Sequence, residues 1–288
     1  MVEGIKKHPF LFILLMALIA LSGNLLGAFA QTLFSDSVTL TYLSEGIFKY
    51  TISIFLLFLM AKLGYTKRVD KKKFAWRFLA GIPVVLYFAN NLLPLVLVNP
   101  IHFKVRWPIV FVILFAEFSV GLMEETGIRG IFLPLLCEKW KEKKNVFFKA
   151  ALVSSLLFGC LHLTWTVRQL LLYGSVSVEF LSDNLYQVFY TFCFGMLMAG
   201  ISLYAKSIIP AVVWHSVTDV SAVISRGLLP EGSYTYYCNY NILTLQNVFY
   251  EYDIFPSCKY GAMIVFSIVN ILLAVIGVIL IKKAEKSI

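Results

Sequence analysis

The feature that most constrains this chain is a series of apolar stretches that are each about long enough to cross a lipid bilayer. A spanning helix needs about 20 mostly apolar residues. Because the 288-residue chain is 59% hydrophobic and has no polar stretch long enough for a soluble core, we predict one all-α membrane domain over residues 1–288. The eight predicted spans cover residues 9–30, 46–64, 78–98, 108–136, 148–172, 184–204, 207–225 and 260–281.

The distribution of basic residues predicts how this bundle of about eight transmembrane helices is oriented. If the chain crosses the membrane eight times, most of its 25 lysines and arginines fall on the side that carries both termini. The densest groups are the segment 67–77 and the loop 139–149. Cytoplasmic loops carry an excess of Lys and Arg, so we predict that both termini are cytoplasmic. The net charge of +9 has the same explanation, and no nucleic-acid partner is expected.

Ionisable side chains interrupt three of the predicted spans. An ionisable group at membrane depth is costly, and it usually pairs with another group and marks function. Small residues surround these positions and would let the helices approach closely. We therefore predict that three spans assemble one polar site. Its members are Glu124, Glu125 and Arg129 in the fourth span, His162 in the fifth, and His215 and Asp219 in the seventh.

The spacing within the fourth span predicts different roles for its two adjacent glutamates. Glu125 and Arg129 are four residues apart with the acid first, which is the favourable order for an ion pair along a helix. We interpret this pair as structural. Glu124 is turned about 100° away by helix geometry and is free to face another helix. His162 and the face formed by His215 and Asp219 are its expected partners.

A carboxylate and histidines that are shielded from bulk water are suited to general acid–base catalysis. Glu124 could take a proton from water, and His162 could hold that water or return the proton to a leaving amine. His215 could donate a hydrogen bond to a developing oxyanion. This set predicts hydrolysis of an amide with water as the nucleophile. Ser216 does not complete a serine triad, because adjacent residues of a helix do not face each other.

Three motifs in this order resemble the CPBP (Abi) family, which includes the glutamate-dependent CAAX prenyl proteases. They are Glu124-Glu125-x-x-x-Arg129, Phe158-x-x-x-His162 and His215-x-x-x-Asp219, and the resemblance covers roughly residues 115–222. It implies an intramembrane endopeptidase with this segment as its catalytic core. By the same resemblance Glu124 is the water-activating base, supported by Glu125 and Arg129. His162 is the second catalytic group, and His215 and the residue at 219 stabilise the oxyanion.

Two features bear on how far the resemblance extends. By this resemblance, the CAAX-processing branch has Asn at the position that matches residue 219, whereas this chain has Asp219. An ionised Asp cannot donate a hydrogen bond to an oxyanion. We expect Asp219 to orient His215 instead. Family members have often been labelled metalloproteases. This chain has no compact His-Glu-x-x-His motif, so no cofactor is expected and zinc is kept as the alternative.

The expected partners are the lipid bilayer and a membrane-associated peptide or protein substrate, prenylated or bacteriocin-like. The location is the cell membrane in a bacterium and the endoplasmic reticulum membrane in a eukaryote. We expect the site in the middle-to-cytoplasmic half of the membrane. The remaining charges Lys49, Glu117 and Arg168 are interpreted as interfacial or loop-end residues.

Two other functions remain open on the sequence. A catalytically silent membrane scaffold that regulates a partner such as a sensor kinase would need the fold but not the chemistry. A proton-coupled transporter would use Glu124, Glu125 and the histidines as a relay, because such residues also mark ion pathways.

Overall fold

The computed structural model describes residues 2–34, 37–65, 71–85, 105–224, 228 and 258–287. Every regular element within these ranges is helical. The α-helices are α1 (Val2–Lys7), α2 (Pro9–Leu33), α3 (Val38–Lys62), α4 (Lys71–Phe78), α5 (Trp107–Glu125), α6 (Leu133–Lys139), α7 (Val146–Leu161), α8 (Thr164–Tyr173), α9 (Val178–Ala205), α10 (Ile209–Val223) and α11 (Cys258–Glu285). A 3₁₀ turn, Leu79–Val84, follows α4, and a π-helix, Thr126–Phe132, joins α5 to α6.

Six of the described helical segments are long and apolar enough to span a membrane. They are Pro9–Ala30, Val38–Lys62, Trp107–Lys139, Val146–Tyr173, Val178–Ala205 and Phe266–Glu285. The protein is therefore a multi-pass integral membrane protein, and the predicted polytopic helical bundle is confirmed. The predicted span at 207–225 corresponds to α10, which has 15 residues. The predicted span at 78–98 begins in the 3₁₀ turn, and its remainder lies outside the described residues.

Both ends of the described chain lie at the same end of the bundle. Near the N-terminus, Lys6 Nζ lies 3.2 Å from Glu138 Oε1 at the end of α6. Near the C-terminus, Glu285 Oε1 accepts a hydrogen bond of 3.2 Å from the backbone N–H of Phe148 in α7. We call this the termini end. Its basic residues predict that it faces the cytoplasm.

Helix α9 lies at the centre of the bundle and packs against α7 and α11, while α5 packs against α3 and α10. Glycines bring the backbones of α9 and α11 into contact, since a Cβ added at Gly200 would lie 2.5 Å from the carbonyl oxygen of Gly277. Small residues allow membrane helices to pack this closely. The contacts of α9 with α7 and of α5 with α10 hold these four helices together around the polar residues.

The π-helix is the main departure from regular α-helix within the predicted fourth span. Its residues are buried, and Pro134 lies in the first turn of α6, the helix that follows it. Proline has no N–H to donate to the carbonyl of residue 130, so regular α-helical bonding is interrupted just before it. π-helical turns are frequent at functional sites. Here the turn starts immediately after Glu125 and carries Arg129.

Candidate active site

A buried ion pair on α5 and the π-helix anchors the site. Arg129 Nη1 donates to Glu125 Oε1 at 3.0 Å, and neither side chain has any exposed surface. Arg129 Nη2 donates to the carbonyl oxygen of Gly195 on α9 at 3.1 Å. The guanidinium also lies 4.4 Å from the ring centre of Phe158 on α7. The predicted pair is therefore present, and it joins three helices.

His215 on α10 lies between the two adjacent glutamates. Its Nδ1 is 2.7 Å from Glu125 Oε1, and its Nε2 is 3.6 Å from Glu124 Oε2. The rings of Phe158 and Phe194 pack edge-on against the imidazole. The same Oε1 accepts from Arg129 Nη1, so it acts as an acceptor here and Nδ1 of His215 carries the proton between them. Glu125 therefore sets the orientation of the His215 ring.

The two adjacent glutamates differ in their access to the interior cavity. The Glu124 side chain is 24% exposed, whereas that of Glu125 is completely buried. Glu124 lines a cavity of about 420 Å³, and His162, His215 and Asp219 line the same cavity. The structure thus brings the predicted side chains from α5, α7 and α10 to one space, with Glu125 and Arg129 closed off behind them.

His162 ends α7 and presents its ring to this cavity. Its Nδ1 lies 3.3 Å from the carbonyl oxygen of Phe158, one turn earlier. A carbonyl oxygen only accepts, so this contact places a proton on Nδ1. Nε2 of the neutral ring then carries a lone pair, and His162 is suited to accept a hydrogen bond from water.

Asp219 lies one turn after His215 on α10, and its Oδ2 is 3.5 Å from His215 Nε2. That oxygen is buried and has no hydrogen-bond partner among the residues the structure describes. The sequence predicted that Asp219 would orient His215. In the structure the imidazole proton on Nδ1 is held by Glu125. Asp219 instead faces Nε2, the nitrogen expected to donate to an oxyanion.

The cavity wall carries charged residues that the sequence had assigned to interfaces or loop ends. Lys49, Glu117 and Arg168 all line it. Lys49 Nζ lies 3.5 Å from Glu45 Oε2, which also lines the cavity. The available signal was that Lys49, Glu117 and Arg168 each fall within a predicted span. Helix periodicity alone did not show that they face the same space as Glu124.

The cavity extends away from the termini end. Its lining includes Ala28 near the end of α2, Thr41 in the first turn of α3, and Val223 at the end of α10. These positions lie at the end of the bundle opposite both termini. We had expected a site in the middle-to-cytoplasmic half. In the predicted orientation the site instead lies between the middle and the opposite side, because α8 and the first turns of α3 form its walls.

The chemical capacity of the site resides in side chains that can move a proton. Within the described ranges, no three His, Cys, Asp or Glu side chains are grouped as ligands for a metal ion. The carboxylate of Glu124, the Nε2 lone pair of His162 and the Nε2 of His215 share one cavity. A base, a second acceptor and a potential donor are therefore available to one bound water and one carbonyl group.

Comparison with known protein families concerns the segment that holds these residues. Residues 106–221 match the family described as type II CAAX prenyl endopeptidase Rce1-like. Comparisons with curated proteins and with solved structures gave no match. The matched segment contains Glu124, Glu125, Arg129, His162, His215 and Asp219. This match supports the assignment to the CAAX (CPBP) protease family that the motifs of the segment had predicted.

Proposed function

We propose that this protein is an intramembrane endopeptidase of the CAAX type, in which Glu124 activates the water that attacks the scissile peptide bond. The observation that carries the proposal is the different placement of two neighbouring glutamates. Glu124 faces a cavity together with His162 and His215, whereas Glu125 is buried against Arg129 and His215. One carboxylate is thus available to water and substrate, and the other maintains the geometry.

In the first step a water molecule lies between Glu124 and His162. Its oxygen bonds to the carbonyl carbon of the scissile peptide, one of its protons moves to the Glu124 carboxylate, and the carbonyl electrons move to the oxygen. Nε2 of His162 accepts a hydrogen bond from the second hydrogen of the water and so directs the oxygen lone pair. Positioned general-base catalysis of this kind contributes about 10²–10⁴ to the rate.

His215 stabilises the oxyanion formed in that step. With a proton on both ring nitrogens, it donates Nδ1–H to Glu125 and Nε2–H to the oxyanion. Glu125 Oε1 lies 2.7 Å from Nδ1, and Glu124 Oε2 lies 3.6 Å from Nε2, so a carboxyl group lies on each side of the ring. Opposite charges at these distances favour the doubly protonated ring. A donor already in place costs no reorganisation when the charge develops.

In the second step the tetrahedral intermediate collapses. The carbonyl re-forms, the carbon–nitrogen bond breaks, and the leaving nitrogen takes the proton that Glu124 received from water. The products are a carboxylic acid and an amine, and Glu124 returns to its ionised form. Neither step requires a cofactor, although zinc remains the alternative that the experiment below separates.

The proposed substrate is a membrane-associated peptide, prenylated or bacteriocin-like. The family description supports a prenylated peptide. The membrane-spanning helices around the cavity support a substrate that is delivered from the bilayer. The proposed location is the cell membrane in a bacterium or the endoplasmic reticulum membrane in a eukaryote.

The test is cleavage of a peptide library by the full-length protein purified in detergent. The library contains S-farnesylated C-terminal peptides and unmodified hydrophobic peptides, and products are identified by mass spectrometry. Wild type is compared with Glu124→Gln and His162→Ala, each with and without a chelator. The control is Lys141→Gln, which changes a side chain that is 73% exposed and remote from the cavity.

We expect cleavage by wild type and by Lys141→Gln, retention of that cleavage with chelator, and loss in both site variants. Loss with chelator and recovery with zinc would contradict the metal-free mechanism. Full activity in Glu124→Gln would contradict the role of that residue. Absence of cleavage by the folded wild-type protein would favour the silent scaffold. Proton-dependent solute uptake into proteoliposomes would favour the transporter.

A further inference from the structure

Arg168 is a cation in the proposed active-site cavity that has no ionic partner among the residues the structure describes. Lys49 lies against Glu45, and Arg129 is bound to Glu125. Arg168 also lines the cavity, and its Nε is buried without a hydrogen-bond partner in the described part of the chain. An arginine remains charged in a protein. The residue as a whole is only partly buried, so its charge is available to an anion that enters the cavity.

The local structure holds this guanidinium in place. Arg168 lies 5.0 Å from the ring centre of Trp165, which is one turn earlier on α8 and lines the same cavity. Helix α8 is fixed to its neighbours by two polar contacts. Asn24 Nδ2 donates to Thr164 Oγ1 at 3.0 Å, and Thr166 Oγ1 donates to Asn184 Oδ1 at 3.2 Å. A preorganised, ring-stacked guanidinium is suited to planar, bidentate recognition of a carboxylate.

The position of Arg168 along the chain indicates how far it lies from the reacting peptide bond. It follows His162 by six residues. At 1.5 Å of rise per residue, its Cα lies about 9 Å further along the α7–α8 segment. An extended peptide covers about 3.3 Å per residue. A substrate carboxylate bound at Arg168 would therefore lie within a few residues of the bond that Glu124 and His162 act upon.

We propose that Arg168 is a specificity-determining residue that binds a carboxylate of the peptide substrate close to the scissile bond. This inference rests on the proposed protease function and extends it to the substrate's anionic group. That group is either the free C-terminus of the peptide or an acidic side chain near it. Both present the same planar anion to the guanidinium, and the probes below distinguish them.

The experiment measures binding in a Glu124→Gln background, so that cleavage does not consume the probe. Three fluorescent peptides share an S-farnesylated cysteine followed by three residues. They end in a free acid, in an amide, and in an amide whose last residue is Glu. Affinities are compared with and without Arg168→Gln or Arg168→Lys. The control is Arg77→Gln, which removes an arginine that stacks on Tyr204 outside this cavity.

We expect the free acid to bind about tenfold more tightly than the amide, as a charge-assisted hydrogen bond predicts. Arg168→Gln should remove this preference, Arg168→Lys should keep part of it, and Arg77→Gln should keep it whole. Tight binding of the Glu-terminated amide that also depends on Arg168 would support the proposal with an acidic side chain as the ligand.

Equal affinity for acid and amide, an acid preference that survives Arg168→Gln, or no binding of the acid peptide would each overturn the proposal. The wild-type cleavage assay tests the protease function separately. Binding that depends on Arg168 without any cleavage would overturn the proposed hydrolysis and leave the carboxylate site standing. Cleavage that does not distinguish acid from amide would overturn the carboxylate site and leave the hydrolysis standing.

Discussion

Nδ1 of His215 lies 2.7 Å from Oε1 of Glu125, and the same oxygen accepts the hydrogen bond from Arg129 at 3.0 Å. One carboxylate oxygen therefore connects α10 to the buried ion pair on α5 and the π-helix. The contact fixes the imidazole so that its other nitrogen faces Glu124 and Asp219. It also makes Glu125 a positioning residue, which does not reach the cavity itself.

The same substitution should impair catalysis at Glu124 and stability at Glu125. Glu124→Gln should reduce kcat by about 10²-fold or more, because it removes the general base, and should leave the unfolding temperature in detergent unchanged. Glu125→Gln should destabilise the protein by about 3–5 kcal/mol, because Arg129 is left as an uncompensated buried charge. Thermal unfolding and single-turnover cleavage measure both effects. Equal unfolding temperatures for the two variants would contradict this division.

Arg129 should not be replaceable by lysine. Arg129→Lys keeps the positive charge but cannot make both the bond to Glu125 and the bond to the Gly195 carbonyl with the same geometry, and it loses the stacking on Phe158. We expect a loss of about 1–3 kcal/mol of stability. The matched control is Arg77→Lys, at the surface contact with Tyr204. Equal stability of the two variants in thermal unfolding would show that only the charge of Arg129 matters.

Asp219 should tolerate asparagine better than alanine. Asparagine keeps the size of the side chain, can accept from Nε2 of His215, and can itself donate to an oxyanion. We expect Asp219→Asn to retain kcat within about tenfold. Asp219→Ala, which removes the polar group beside Nε2 of the oxyanion donor His215, should lose about 10²-fold. Separate measurement of kcat and KM distinguishes this loss of catalysis from a loss of substrate binding. The same loss in both variants would argue against the role of Asp219.

Gly121 should be required for the close approach of α5 to α10. A Cβ at this position would contact Ser216 Oγ and would lie 3.1 Å from the carbonyl oxygen of Val212. Gly121→Ala should cost about 1–3 kcal/mol through overpacking. It should also lower activity, because α10 carries His215. The control Gly4→Ala places its Cβ where no atom lies within 4 Å.

A second substitution tests whether the contact with Ser216 causes that effect. Ser216→Ala removes the hydroxyl that the new methyl group would meet, so it should recover part of the stability lost in Gly121→Ala. The backbone contact with Val212 remains, and full recovery is not expected. A thermal-unfolding double-mutant cycle that shows strict additivity would exclude the contact with the Ser216 hydroxyl as a cause.

Much of the site was predictable because its residues follow simple spacing rules. Glu125 and Arg129 are four residues apart, and their ion pair forms as helix geometry predicts. Glu124, turned away from Glu125, faces the cavity with His162 and His215. The cost of ionisable groups at membrane depth made it possible to identify these residues before their partners were known.

The sequence by itself determined that the chain is a multi-pass helical bundle, because apolar runs of this length have no other stable arrangement in a bilayer. It also identified the side chains that had to meet. Only the tertiary structure decided that Glu125 holds Nδ1 of His215 and that Arg168 joins the cavity. These depend on how helices distant in the sequence pack against one another, and periodicity within a single helix carries no information about that packing.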